Sequence, residues 1–121
     1  MENIFIEATD DTPAVRFVST GRLTIEGRSL PENTSAFYGP LLKWVSLLDV
    51  ESVVMDINLD YINSSSSNQI LRILKILDSN DNIKKLIINW YYDNDDDDTL
   101  ELGKVYEELL KKASFRYRAG Q

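Results

Sequence analysis

The chain contains no cysteine and no histidine among its 121 residues. Without cysteine there are no disulfides, no thiol nucleophile and no thiolate metal ligands. Without histidine there is no imidazole base near neutral pH, no Ser-His-Asp triad and no imidazole zinc site. No nucleophile–base pair is visible, so a hydrolase is a remote reading and neither an enzyme nor a cofactor is expected. Long apolar runs are missing too, and nothing approaches the ~20 residues of a membrane span. Basic charge is in deficit, with 13 Lys and Arg against 20 Asp and Glu, a net charge of −7. The basic residues are scattered rather than striped, which argues against nucleic acid and against an anionic membrane as partners. A protein partner is the expectation. The start Met1–Glu7 has neither the basic residues nor the apolar stretch of a secretory signal, so a cytoplasmic location is expected.

What is present suits a globular unit. Hydrophobic residues make up 43% and charged residues 27%, and 121 residues suit a single domain, 1–121, around one core. Short strands are expected over 3–8, 14–18 and 22–28, the last two forming a hairpin around Ser19-Thr20-Gly21. A helix is expected over about 35–48, with Phe37, Tyr38, Leu41, Leu42, Val45 and Leu48 inward and Pro40 near its start. The clearest strand is 51–62, with Met55, Ile57, Leu59 and Tyr61 on one face and Asp56, Asn58 and Asp60 on the other. A second helix follows from about Ser66 to Ser79, then a strand over 83–92. An acidic loop leads to a third helix over 99–112, with Leu102, Val105, Tyr106, Leu109 and Leu110 inward and Lys111 and Lys112 at its end. A last strand is expected over 114–118, with the terminus from Ala119 to Gln121 frayed. Alternating strand and helix in the second half imply parallel pairing. The fold class is α/β: a two-layer sandwich, with a mixed β-sheet and helices mainly on one face.

Three groups of residues are candidates for function. The run Asp93 to Asp98 offers clustered carboxylates, with Asp93, Asp95 and Asp97 as weak metal ligands, but it lacks the glycine and the terminal glutamate of an EF-hand loop. It reads as a solvated loop feeding a helix, or alternatively as a small divalent-metal or ligand-binding module. The trio Asp56, Asn58 and Asp60 reads as a solvated strand face or a partner surface, and least as paired carboxylates for acid–base work or a metal. The third group is the turn Asn63-Ser64-Ser65-Ser66-Ser67, where a strand gives way to a helix. Its serines either cap the helix or accept a phosphate, which the free N–H groups and the dipole of a helix start would favour.

Several strings of the sequence go further. Thr12-Pro13-Ala14-Val15, Gly27-Arg28-Ser29-Leu30-Pro31-Glu32-Asn33-Thr34, Phe37-Tyr38-Gly39-Pro40 with Trp44, Leu59-Asp60-Tyr61-Ile62-Asn63-Ser64-Ser65-Ser66 and Trp90-Tyr91-Tyr92-Asp93 together resemble the SiaC-like regulatory phosphoproteins of bacteria. The resemblance covers essentially the whole chain. It implies a STAS-like fold of the anti-anti-sigma class and a protein that is not an enzyme. It implies phosphorylation on the residue after the strand-end Asn, which is Ser64 here, with Ser65 as the second choice. A GHKL-type Ser/Thr kinase would add the phosphate and a PP2C-like phosphatase would remove it. The unmodified form would bind and activate a diguanylate cyclase, raising cyclic di-GMP and promoting biofilm. Partner contacts would come from Asp56, Asn58, Asp60, Tyr61 and Asn63, and from the turn Pro31-Glu32-Asn33.

Overall fold

The computed structural model describes residues 1–120. Its elements are β1 (Ile4–Ile6), β2 (Ala14–Val18), β3 (Arg22–Ser29), α1 (Thr34–Ser46), β4 (Ser52–Ile62), α2 (Ser64–Ser79), β5 (Lys85–Tyr92), α3 (Asp97–Leu109) and β6 (Ser114–Ala119). The six strands form one sheet in sequence order. β1, β2 and β3 pair antiparallel, and β3 to β6 pair parallel. The mixed α/β sheet read from the sequence is therefore present, with each helix as the crossover between neighbouring parallel strands. Gln121, counted with the frayed end, lies outside the described residues. Ala119, expected to fray, closes β6.

The core lies between the helices and one face of the sheet. Val15, Phe17, Leu23, Ile25, Met55, Ile57, Ile88 and Trp90 from the strands meet Tyr38, Leu41, Val45, Ile70, Ile73, Leu74 and Leu77 from α1 and α2. The other face carries Arg16, Arg22, Glu26 and Arg116, all exposed. Period-two alternation on a half-covered sheet makes these two faces. The hairpin between β2 and β3 turns at Gly21, whose φ of +108° favours glycine and whose Cβ would lie 2.3 Å from the Ser52 carbonyl oxygen. Any side chain there would drive into the backbone of β4.

Several boundaries differ from the expectation, each for a local reason. α1 begins at Thr34 because the Asn33 side chain accepts from the Ala36 N–H at 3.0 Å. Pro40 is thus inside α1 rather than at its start. Its ring removes one helical hydrogen bond, which the burial of Tyr38, Leu41, Trp44 and Val45 around it offsets.

Tyr61 is not on the inner face. The register between β3 and β4 slips, with Gly27 opposite Leu59 and Arg28 opposite Tyr61. One extra residue on β4 makes this a bulge that moves the following side chains to the other face. Tyr61 is consequently 57% exposed beneath the Arg28 guanidinium, 4.9 Å from the ring centre.

The inward set of α3 also needs correction. Val105 and Leu109 are about half exposed, and Gly103 and Tyr106 are the buried residues of the helix. α3 packs near the sheet edge, over β5 and β6, so a narrow strip of it meets the core. Lys111 and Lys112 lie beyond its end. There the Asp78 carboxylate accepts from the N–H groups of Lys111, Lys112 and Ala113 at 2.8–2.9 Å.

Candidate functional site

The candidate site assembles at the carboxyl ends of the parallel strands, where β3, β4 and β5 hand over to helices. β4 closes at Ile62, and the Asn63 N–H donates to the Ser29 carbonyl of β3 at 3.1 Å. Asn63 then caps α2. Its side-chain oxygen accepts from the Ser66 N–H at 2.8 Å, and its carbonyl accepts from the Ser67 N–H at 3.0 Å. The cap is therefore Asn63, and the four serines fill the first turn of the helix, which starts two residues earlier than expected.

That placement separates the serines chemically. Ser64 and Ser65 are exposed, and as the first two helical residues their N–H groups have no intrahelical acceptor. Ser66 is fully buried, and its hydroxyl has no hydrogen-bond partner among the described residues. The Ser67 hydroxyl donates to the Ser64 carbonyl at 2.8 Å. Two of the four hydroxyls are thus free for a protein partner to reach.

Beneath this turn lies a small polar cluster. The hydroxyls of Ser29 and Tyr38 share a hydrogen bond of 2.5 Å, and the Tyr106 hydroxyl donates to the Ser67 carbonyl at 2.5 Å. Burial pushes the Tyr38 phenol up from its ordinary pKa, against the smaller lowering effect of the Ser29 hydrogen bond. Burial also pushes the Tyr106 phenol up. Both phenols stay neutral, as desolvation dictates. The cluster ties β3, α1, α2 and α3 together under the serine turn. Tyr38→Phe is expected to cost about 1–3 kcal/mol, because it strands the buried Ser29 hydroxyl beside the unpaired one of Ser66. Urea unfolding checks it, and a loss under ~0.5 kcal/mol would remove the cluster from the energetics of the fold.

The other wall of the site is the acidic run. Asp93 and Asp96 close a turn, Asp96 N–H to Asp93 carbonyl at 2.9 Å. The Asp96 carboxylate caps α3, accepting from the Thr99 hydroxyl at 2.6 Å and the Thr99 N–H at 3.0 Å. These bonds to Thr99, the hydroxyl first, hold the Asp96 carboxyl below the usual carboxylate range. A lowered folded-state pKa means the cap is intact above the ordinary pKa of Asp and is lost as the pH falls through the lower folded value. Asp96→Ala is expected to cost about 1 kcal/mol near neutral pH, read by chemical unfolding. The difference from the parent should vanish in acid.

Asp98 and Thr99 line an open depression of about 210 Å³ together with Ser64, with Ile62, Asn63, Ser67 and Leu102 completing it. The sequence treats the serines and the acidic run as separate candidates, and the fold brings Ser64 and Asp98 into the lining of one feature. Among the described residues no three acidic side chains converge in a way that would hold a metal ion. Of this run, Asp93 closes the turn through its carbonyl and Asp96 makes the cap.

The remaining predicted residues fall in two places. Pro31 is buried, while Glu32 and Asn33 are exposed at the same end of the sheet as Ser64, one residue, Leu30, separating this turn from Ser29. Asp56 and Asn58 lie midway along β4 on the uncovered face, with Asp60 exposed at the bulge. Asp56 is engaged rather than free. It pairs with Arg22 at 2.6 Å and accepts from the Asn89 amide at 2.8 Å. Asn89 in turn accepts from Arg118 at 3.3 Å. The sequence reading missed this row of arginines, although Arg22, like Arg16, already alternated outward in its strand. Their meeting with Asp56 and Asn89 depends on parallel register, which a single chain's periodicity does not carry.

Comparison with known proteins places these features. The model of the SiaC family of regulatory phosphoproteins matches residues 6–119. An uncharacterized protein of Pseudomonas aeruginosa is 30% identical over 113 residues, covering 89% of this chain and 90% of that one. The crystal structure of apo-SiaC from P. aeruginosa superposes with a TM-score of 0.87 at 28% identity, over 98% of this chain and all of that one. A chain in the P. aeruginosa crystal structure of the diguanylate cyclase SiaD in complex with its activator SiaC matches with a TM-score of 0.83 at 26% identity, over 95% and 99% of the two chains.

Proposed function

This chain belongs to the SiaC family of regulatory phosphoproteins, and on that footing we propose that it is a phosphorylation-controlled switch with Ser64 as acceptor. The whole chain acts as one switching unit in the cytoplasm. A GHKL-type Ser/Thr kinase adds the phosphate, a PP2C-like phosphatase removes it, and the unmodified form binds and activates a diguanylate cyclase. The observation that carries the reading is the state of the four hydroxyls. Ser66 is buried and the Ser67 hydroxyl is bonded to the backbone, which leaves Ser64, directly after the cap, and Ser65 as reachable acceptors. Further support comes from the crystal structure in which a related chain, SiaC, is the activator bound to the cyclase SiaD.

A phosphoryl group brings a charge of about −1.5 to −2 and three acceptor oxygens. On Ser64 it would meet the free N–H groups of the first turn of α2 on one side and Asp98 on the other. The helix start favours the anion and Asp98 opposes it, so the modification rewrites the surface charge without needing to refold the domain. Incubation with the kinase and ATP, followed by intact-mass and site-mapping spectrometry, is the test. One added phosphate on Ser64, absent from Ser64→Ala, is the expected result. Phosphate on Ser65 alone would move the acceptor. No phosphate, with a kinase shown to be active on another substrate, would leave the turn as the capped start of α2.

A further inference from the structure

The uncovered face of the sheet has the opposite charge to the rest of the molecule. Arg16, Arg22, Arg28, Lys85, Arg116 and Arg118 all occupy its outward strand positions, and all six are exposed. Glu26, Asp56 and Asp60 are the acids at outward positions on β3 and β4. The chain holds 13 basic and 20 acidic residues, so seven basic against seventeen acidic are left for everything else. Asp56 is already paired with Arg22, the one ion pair among the described residues. Two of the arginines also cover exposed aromatics, Arg16 over Phe5 at 5.1 Å and Arg28 over Tyr61 at 4.9 Å. Beside Phe5 and Arg16, an open groove of about 560 Å³ runs along β1, β2 and β3, bordered by Glu7, Thr24 and Glu26.

We propose that this sheet face docks a carboxylate-rich segment of a protein partner. Arginine presents a planar donor fork that matches a carboxylate, which is why five guanidiniums on one surface point to acidic side chains. Phe5, 59% exposed, supplies an apolar anchor at one end. Charge complementarity selects the occupant. A long polyanion or a flat anionic membrane would run off this face onto surface where acidic residues outnumber basic ones. Two copies docked face to face would set cations against cations. The inference does not rest on phosphorylation, since it concerns a face apart from the Ser64 depression.

The experiment is an NMR titration of the unphosphorylated full chain with a short glutamate-rich peptide at low salt. Shifts confined to the outward residues of the strands are expected. Binding should weaken about tenfold or more in Arg116→Glu/Arg118→Glu, as the loss of several surface charge contacts implies. Lys43→Glu/Lys111→Glu makes the same change in net charge off the face and should leave binding within about twofold of the parent, given that distant charges are screened. Thermal unfolding shows that both variants fold. Four outcomes would overturn the proposal: no binding to the peptide, an equal loss in the two double variants, tighter binding to single-stranded DNA or phosphatidylserine vesicles than to the peptide, or self-association that the arginine reversal abolishes.

Discussion

Phosphorylation of Ser64 is expected to weaken binding to the cyclase about ten- to hundredfold, while Ser64→Ala binds as the unmodified protein does. The size follows from local charge. The phosphoryl group stands across a shallow depression from Asp98, at the edge of a run of five aspartates between 93 and 98. Any partner that covers this corner must desolvate the phosphate beside a like charge, and like-charge juxtaposition at an interface costs several kcal/mol, where ~1.4 kcal/mol is tenfold in affinity. Screening shortens the reach to about 8 Å at physiological salt, so the ratio between the two forms should shrink as salt rises. Ser64→Asp brings about one charge instead of nearly two and should give a smaller effect than the true phosphate. The alanine variant isolates the chemistry from the fold, because the Ser64 side chain is exposed and the cap is made by Asn63. Its stability should stay within about 0.5 kcal/mol of the parent. Calorimetry or surface binding with the cyclase reads the ratio. Equal affinity of the phosphorylated and unmodified forms at low salt would sink this account of the switch.

Periodicity made the fold legible wherever one face of an element is buried along its whole length. β4 showed its inner face through Met55, Ile57 and Leu59, and α2 showed a wide stripe through Ile70, Ile73, Leu74 and Leu77, all buried in the structure. The signal failed where geometry departs from a repeating face. Tyr61 continues the alternation of β4 in sequence, and the bulge opposite Gly27 and Arg28 reverses it. Val105 and Leu109 continue a helical stripe, but α3 lies near the sheet edge, where apolar residues are left without a neighbour to cover them. The serine turn was legible as a turn and as a family motif. Which hydroxyl is reachable was not, since the burial of Ser66 depends on Tyr38 and Ser29 arriving from α1 and β3. The apposition of Ser64 with Asp98 was invisible for the same reason. It follows from β4 and β5 being parallel neighbours whose ends release two chains side by side.

The second large effect is expected at Trp90. Trp90→Ala should destabilise the protein by about 3–5 kcal/mol, the range for removing a large buried aromatic, and the loss should be concentrated in α3. Trp90 is 2% exposed, at the end of β5 that leads to the acidic turn. Its indole N–H donates to the Thr99 carbonyl at 2.9 Å, and its ring meets Tyr106 edge-on at 5.4 Å. Gly103 lets the helix backbone lie directly on the indole, since a Cβ there would come within 2.7 Å of the ring nitrogen. One side chain therefore touches three successive turns of α3, a helix that buries little else. Natural domains are stable by about 5–15 kcal/mol, so a folded but loosened variant is the expected product. Urea unfolding gives the magnitude, and amide hydrogen exchange gives the location. Exchange should rise most in α3 and in the 93–98 turn, next in the first turn of α2 that Tyr106 holds through the Ser67 carbonyl, and least in α1. That gradient would mean the wall facing Ser64 can be released while the rest of the core stays shut, giving the phosphate a part of the structure to act upon. A uniform rise across all three helices would instead make Trp90 a support of the whole core, with the Ser64 surface held as rigidly as the sheet beneath it.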